Sequence, residues 1–194
     1  MRPYPDLYVL RHGQTEWNAE GRLQGSLNSP LTALGREHAR LQGRILAARD
    51  ISGFRAVSSP MGRAVETAGI AIAPLMPVIE TDRRLREIDV GDWSGRLRDE
   101  LGVPYDPTVP SGETLALYDR APGGEGLARL ETRCRAFLES LEGPAVLVTH
   151  GITSRMLRAL YLGWSIARLS ELPGGQGNVF HMAGGQQEEL KAGD

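Results

Sequence analysis

The sequence predicts an α/β protein, one domain over residues 1–194 arranged as a three-layer α/β/α sandwich with a mostly parallel central sheet. Three observations predict it. Short apolar runs alternate with segments of helical periodicity, the pattern of parallel strands joined by crossover helices. The runs 7–10 and 145–148 are apolar throughout, as in strands covered on both faces. Two of these runs end in His-Gly pairs, Arg11-His12-Gly13 and Thr149-His150-Gly151, at the strand ends where open α/β sheets place their chemistry.

In chain order, residues 7–10 form the first strand, and residues 11–28 read as a polar, glycine-punctuated functional loop. Thr32 caps a helix whose apolar side is Leu34, Leu41 and Ile45, with His38 on that side as a structural histidine. Residues 54–58 form a second strand, after which Ser59-Pro60 supplies the N-cap and first-turn proline of a helix reaching about Ala73. Residues 78–80 are a third strand. Regular patterning then weakens, and prolines and glycines predict an irregular insertion at about 96–126, a length associated with lids and binding loops. Leu127, Leu130, Cys134, Phe137, Leu138 and Leu141 recur at helical spacing before the apolar strand 145–148. A helix over 152–162, a last strand over 178–182 and a polar, frayed tail complete the chain.

Composition narrows the function classes. At 194 residues and 41% hydrophobic content the chain can bury a real core. A formal charge of -2 supplies no global basic field, which argues against generic nucleic-acid binding. The single cysteine, Cys134, excludes an intramolecular disulfide and a Cys-rich zinc site, and is expected in the core. Neither a signal peptide nor an apolar stretch of membrane-spanning length is visible, so the expectation is a cytoplasmic protein with no membrane partner, monomeric or homodimeric.

Chemistry concentrates at four places. Arg11 and His12 set a cation beside an imidazole, and Gly13 lets backbone approach a ligand. Arg63 falls in the first turn of a helix, where free N–H groups and the macrodipole also favour an anion shared with Arg11. Glu87, in Leu85-Arg86-Glu87-Ile88-Asp89, lies between apolar neighbours that suit a protonated carboxyl and a proton donor. His150 precedes a further helix. The competing readings are structural: a hydrogen-bonded histidine at His12 or His150, surface charge at Arg63, a solvated pair of Glu87 with Arg84 or Arg86. Ser58 reads as a strand-end residue with a backbone role. Trp17, Trp93 and Tyr105 are pocket-rim or core aromatics, and Asn178 is a candidate to face the site.

Taken together, these four motifs resemble the histidine phosphatase superfamily, which includes the cofactor-dependent phosphoglycerate mutases; Gly21-Arg22-Leu23-Gln24-Gly25 and Pro30-Leu31-Thr32 add to the match. The resemblance implies a phosphoglycerate mutase-like fold and a metal-independent phosphomonoester hydrolase acting on a small phosphorylated metabolite. It implies that His12 becomes phosphorylated, that Arg11, Arg63 and His150 hold the phosphoryl oxygens, and that Glu87 protonates the leaving oxygen and then activates water. Thr15, Asn18 and Gln24 match positions near phosphate or substrate. Asn28 stands where the family often has aspartate. No metal or other cofactor is expected, 2,3-bisphosphoglycerate being required only under the mutase alternative. The stretch between Glu87 and His150 lacks the mutases' recognisable run of basic and tyrosine residues, which favours hydrolysis; a non-catalytic phosphate-binding protein is the third reading. Arg63→Ala is expected to damage turnover much more than folding.

Overall fold

The computed structural model describes residues 4–102 and 112–193, without the side chains of residues 112–114. Six strands form one mixed sheet. The strands are β1 (Leu7–Arg11), β2 (Arg55–Ser58), β3 (Ile79–Thr81), β4 (Ala145–Thr149), β5 (Val179–Ala183) and β6 (Gln186–Leu190), in spatial order β3-β2-β4-β1-β5-β6. The first four are mutually parallel; β5 and β6 run antiparallel at one edge.

Alternation along each strand divides the core in two. Leu7, Val9, Val57, Ala145 and Leu147 point to the face covered by helices α4 (Gly112–Arg120), α5 (Gly126–Glu139) and α6 (Gly151–Tyr161). Tyr8, Leu10, Ala56, Val146 and Val148 point to the face covered by α2 (Ala33–Ala47) and α3 (Gly62–Ala71). A short helix, α1 (Glu16–Ala19), follows β1. The three-layer α/β/α architecture is therefore as the sequence predicts. No helix among the described residues is long and apolar enough to cross a membrane.

Four expectations need correction. The tail is not frayed over 186–190: Gly184 and Gly185, both at positive φ (56° and 75°), make the tight turn that folds β6 back on β5. Its alternation was masked because Gln-Gln-Glu-Glu-Leu is an edge strand whose polar groups face water. The insertion is not wholly irregular either, since residues 112–120 form α4; its stretch 103–111, with Tyr105, lies outside the described residues. Leu34 is 51% exposed, and the buried side of α2 is Gly35, Ala39, Gln42, Ile45 and Leu46. Finally, α3 begins at Gly62 with Met61 as N-cap, so Ser59-Pro60 does not cap it.

The helix α2 is capped as expected, Thr32 Oγ1 accepting from Gly35 N–H at 3.0 Å. Its first turn presses on the loop after β1. A Cβ on Gly13 would stand 2.0 Å from Gly35 O, and one on Gly35 the same distance from Gln14 O. Gly13 thus serves backbone-to-backbone packing.

Candidate active site

The parallel register assembles the site. Arg11 pairs with Thr149 across β1 and β4, and His12 N–H donates to Thr149 O at 3.0 Å, so the residue after β1 lies beside the residue after β4. On the other side, Ser59 N–H donates to Val148 O at 2.8 Å. The centroids of the His12 and His150 rings are 5.1 Å apart. Two histidines separated by most of the chain thus meet because β4 inserts next to β1.

His12 Nδ1 lies 2.7 Å from Gly13 O. A carbonyl oxygen only accepts, so Nδ1 carries the proton and Nε2 keeps its lone pair. Burial, with the Arg63 and Arg11 guanidiniums beside it, holds the His12 pKa well below 6.5, and the imidazole is neutral at physiological pH. His150, fully buried, is held neutral by burial and by Arg63, His12 and Arg11. These two shifts carry a stability prediction. Below pH 6.5 the unfolded chain protonates both histidines before the folded protein does, so stability is full above 6.5 and is lost as pH falls toward the folded-state values. Urea-unfolding midpoints are expected to drop from about pH 7.5 to about pH 5.5; a constant midpoint would contradict this assignment.

A solvent-open cleft is lined by Arg11, His12, Asn18, Gln24, Arg63, Glu87 and Gly151 among others. Arg63 is 1% exposed; burial lowers its pKa to about 10, and it remains cationic at neutral pH. Its Nη1 donates to Leu27 O at 2.6 Å and its Nη2 to Gly25 O at 3.1 Å, while Nε has no partner among the described residues. Arg11 Nε is likewise buried without a partner among them. Arg11 Cζ and Glu87 Oε2 would lie 3.4 and 3.6 Å from a Cβ on Gly151, so both side chains pass within van der Waals contact of this position.

The surroundings of Glu87 differ from the apolar setting expected of it. Its Oε1 accepts from Ile88 N–H and Thr153 N–H at 3.1 Å, and its Oε2 from Ile152 N–H at 3.2 Å. The open N-terminus of α6 is therefore occupied by this carboxyl group. The N-terminus of α3 is likewise not free for an anion: Asn28 Oδ1 accepts from Arg63 N–H at 2.9 Å. That cap comes from a distant loop, beyond the reach of local sequence reading.

Of the other candidates, Asn18 and Gln24 line the cleft. Thr15 does not; it caps α1, its Oγ1 accepting from Asn18 N–H at 3.1 Å in a reciprocal capping box, and accepting from Gln24 Nε2 at 2.8 Å. Asn178 turns away, donating from Nδ2 to Glu189 at 2.7 Å. Asp89 accepts from Gly91 N–H and lines a separate cavity beyond Glu87 with Arg86 and Glu125. His38 Nδ1 accepts from Gln14 N–H, Ser58 Oγ donates to Ser59 O, and Cys134 is a core residue whose thiol burial raises to about 12. Arg22, named in the sequence only within a matching stretch, and Arg98, Tyr118 and Arg155, not singled out there, lie on the cleft wall, and Ser59, read there only as a helix cap, has its Oγ 2.7 Å from His150 Nε2. Arg155 stands one turn beyond Gly151 on the helix that follows β4.

Comparison with known proteins agrees with this geometry. The family model described as histidine phosphatase superfamily (branch 1) matches residues 7–190. The chain is 37% identical over 171 residues to "Probable phosphoglycerate mutase GpmB" of Salmonella paratyphi C, across 84% of this chain and 79% of that protein. Among solved structures, a mycobacterial glucosyl-3-phosphoglycerate phosphatase complexed with VO3 is similar at a TM-score of 0.76 and 29% identity, covering 98% of this chain and 100% of that one. Bacillus stearothermophilus YhfR is similar at a TM-score of 0.73 and 31% identity, covering 98% and 97%. A strand-end His12 with Arg11, Arg63 and Glu87 around one cleft, and a His150 buried behind the cleft wall beside His12, thus coincide with a match over nearly the whole chain, and the protein belongs to the histidine phosphatase superfamily, branch 1.

Proposed function

We propose that the protein is a metal-independent phosphomonoester hydrolase that acts through a phosphohistidine on His12. The observation that carries this reading is the His12 ring itself: Nδ1–H donates to Gly13 O, Nε2 keeps a lone pair, and two guanidiniums border the same cleft. Nε2 attacks phosphorus, the P–N bond forms as the P–O bond to the leaving alcohol breaks, and Arg11, Arg63 and His150 stabilise the charge on the equatorial oxygens. Glu87 delivers a proton to the leaving oxygen. Oε2, which accepts a single hydrogen bond from the protein, is the oxygen with room to hold it. In the second step Glu87 takes a proton from water, whose oxygen attacks phosphorus and releases His12 and phosphate. Asn18, from α1, and Gln24, from the loop after it, border the phosphoryl position.

Hydrolysis of p-nitrophenyl phosphate in EDTA tests the reading. Turnover that survives chelation is expected; no turnover at any pH would end the hydrolase reading and favour a phosphate-binding protein. Glu87→Gln is expected to slow esters with poor leaving groups far more than p-nitrophenyl phosphate, whose leaving group needs no proton. Equal slowing across a leaving-group series would remove Glu87 from the acid role. A 2,3-bisphosphoglycerate-dependent phosphoglycerate mutase is the second reading. Arg98 and Tyr118, from the stretch between Glu87 and His150, favour it together with Arg22 and Arg155 by adding basic and tyrosine groups to the cleft, as does the name of the Salmonella relatives. Phosphoglycerate isomerisation stimulated by the bisphosphate would establish it over hydrolysis.

The substrate is proposed to be a small phosphorylated metabolite, since Arg11 and Arg63 beside His12 in the cleft suit a phosphomonoester group. Action in the cytoplasm, as a monomer or homodimer, is part of the same proposal.

A further inference from the structure

Ser59 has no part in the chemistry above, yet it is fully buried directly against it. Its Oγ accepts from Met61 N–H at 3.3 Å and lies 2.7 Å from His150 Nε2. His150 Nδ1 is buried and has no partner among the described residues. A serine hydroxyl has one proton to place, and no acceptor other than His150 Nε2 is within hydrogen-bond reach of Oγ among those residues. With Met61 N–H already directed at the oxygen, the arrangement that leaves the fewest groups unpaired has Ser59 O–H donating to Nε2. The proton of the neutral imidazole is then on Nδ1, the one ring nitrogen still without a partner.

We propose that Ser59 is a positioning residue that holds His150 as its Nδ1–H tautomer, so that His150 donates a hydrogen bond to the phosphoryl group carried by His12. The donation, though not the tautomer, rests on the reading of His12 as the phosphorylated residue. The point matters because a neutral imidazole donates from one nitrogen only. In the other tautomer, Nδ1 would turn a lone pair toward the phosphoryl oxygens and repel them, and Ser59 would be left with a buried proton and no acceptor. The 5.1 Å between the His12 and His150 ring centroids leaves a phosphoryl group on His12 within reach of its neighbour.

Nitrogen-15 spectra of the histidine rings in the native protein test this without turnover. His150 is expected as Nδ1–H, with that resonance shifting when inorganic phosphate is added. In Ser59→Ala the single tautomer is expected to give way to a mixture. Its kcat should fall about tenfold or more with KM little changed, within the 10²–10³ lost when a preorganised donor is removed outright. A native His150 protonated on Nε2 overturns the proposal whatever the variant does, and so does a Ser59→Ala protein with native tautomer and native kcat. Should Ser59→Ala not fold, the native spectrum still decides. A protein without phosphatase activity whose His150 nonetheless shows Nδ1–H and answers to phosphate would uphold the role of Ser59 while the hydrolase reading fails.

Discussion

His12→Ala is expected to abolish turnover, with kcat falling by about 10⁶, the scale seen when an enzyme loses its nucleophile. Rapid quenching with labelled phosphomonoester should trap an acid-labile phosphoryl group on the native protein and none on the variant. The size of the effect follows from what alanine leaves behind. Arg11, Arg63 and His150 keep their positions on strand ends and helix starts fixed by β-sheet register, so substrate still binds and KM moves little. The P–N bond, however, has no donor of an electron pair. His12 is also one of the histidines whose neutrality costs stability at low pH, so the variant should lose less of its urea midpoint than the native protein on acidification. Label retained by His12→Ala would place the nucleophile elsewhere, and the neutral His150 would become the first alternative.

The convergence of His12 and His150 was legible in the sequence because it depends on one rule, that strand carboxyl ends of an α/β sheet share an edge. The apolar runs before each histidine located those ends to within a residue. What decides the chemistry in detail was not legible. The tautomer of His12 depends on a carbonyl one residue away, visible only once the backbone direction is known. The contact of Ser59 with His150 spans 91 residues and arises because β2 and β4 are neighbours, an adjacency that periodicity does not encode.

Glu87 shows a second kind of limit. Its flanking residues Leu85 and Ile88 are fully buried, as their apolar character predicts, yet the carboxyl is surrounded by N–H donors because the start of α6 packs against it. Neighbours in sequence therefore described the backbone around Glu87 and not the environment of its charge. The edge strand β6 and helix α4 failed for opposite reasons: one is too polar to carry a strand signal, and the other is short and follows prolines and glycines that mark loops.

The same distinction alters what is expected of Arg63→Ala. A loss of about 10²–10³ in kcat follows from removing a preorganised cation from the transferring phosphoryl group. The structure adds a second effect that the sequence did not predict, because the guanidinium also clamps the loop through Gly25 O and Leu27 O. Leaving the buried Gly25 carbonyl unpaired costs about 1–3 kcal/mol, so folding and turnover both suffer. Arg63→Lys keeps a charge but not the two-pronged geometry, and is expected to recover little of either. Asn28→Ala separates the two effects. It removes the cap on Arg63 N–H, at a cost of about 1 kcal/mol, while leaving the guanidinium in the cleft. Urea midpoints measured beside kcat should then show Asn28→Ala losing stability with little change in rate, and Arg63→Ala losing both. If Arg63→Ala lost stability alone and kept native kcat, Arg63 would be a loop clamp, and Arg11 would have to stabilise the phosphoryl oxygens without it.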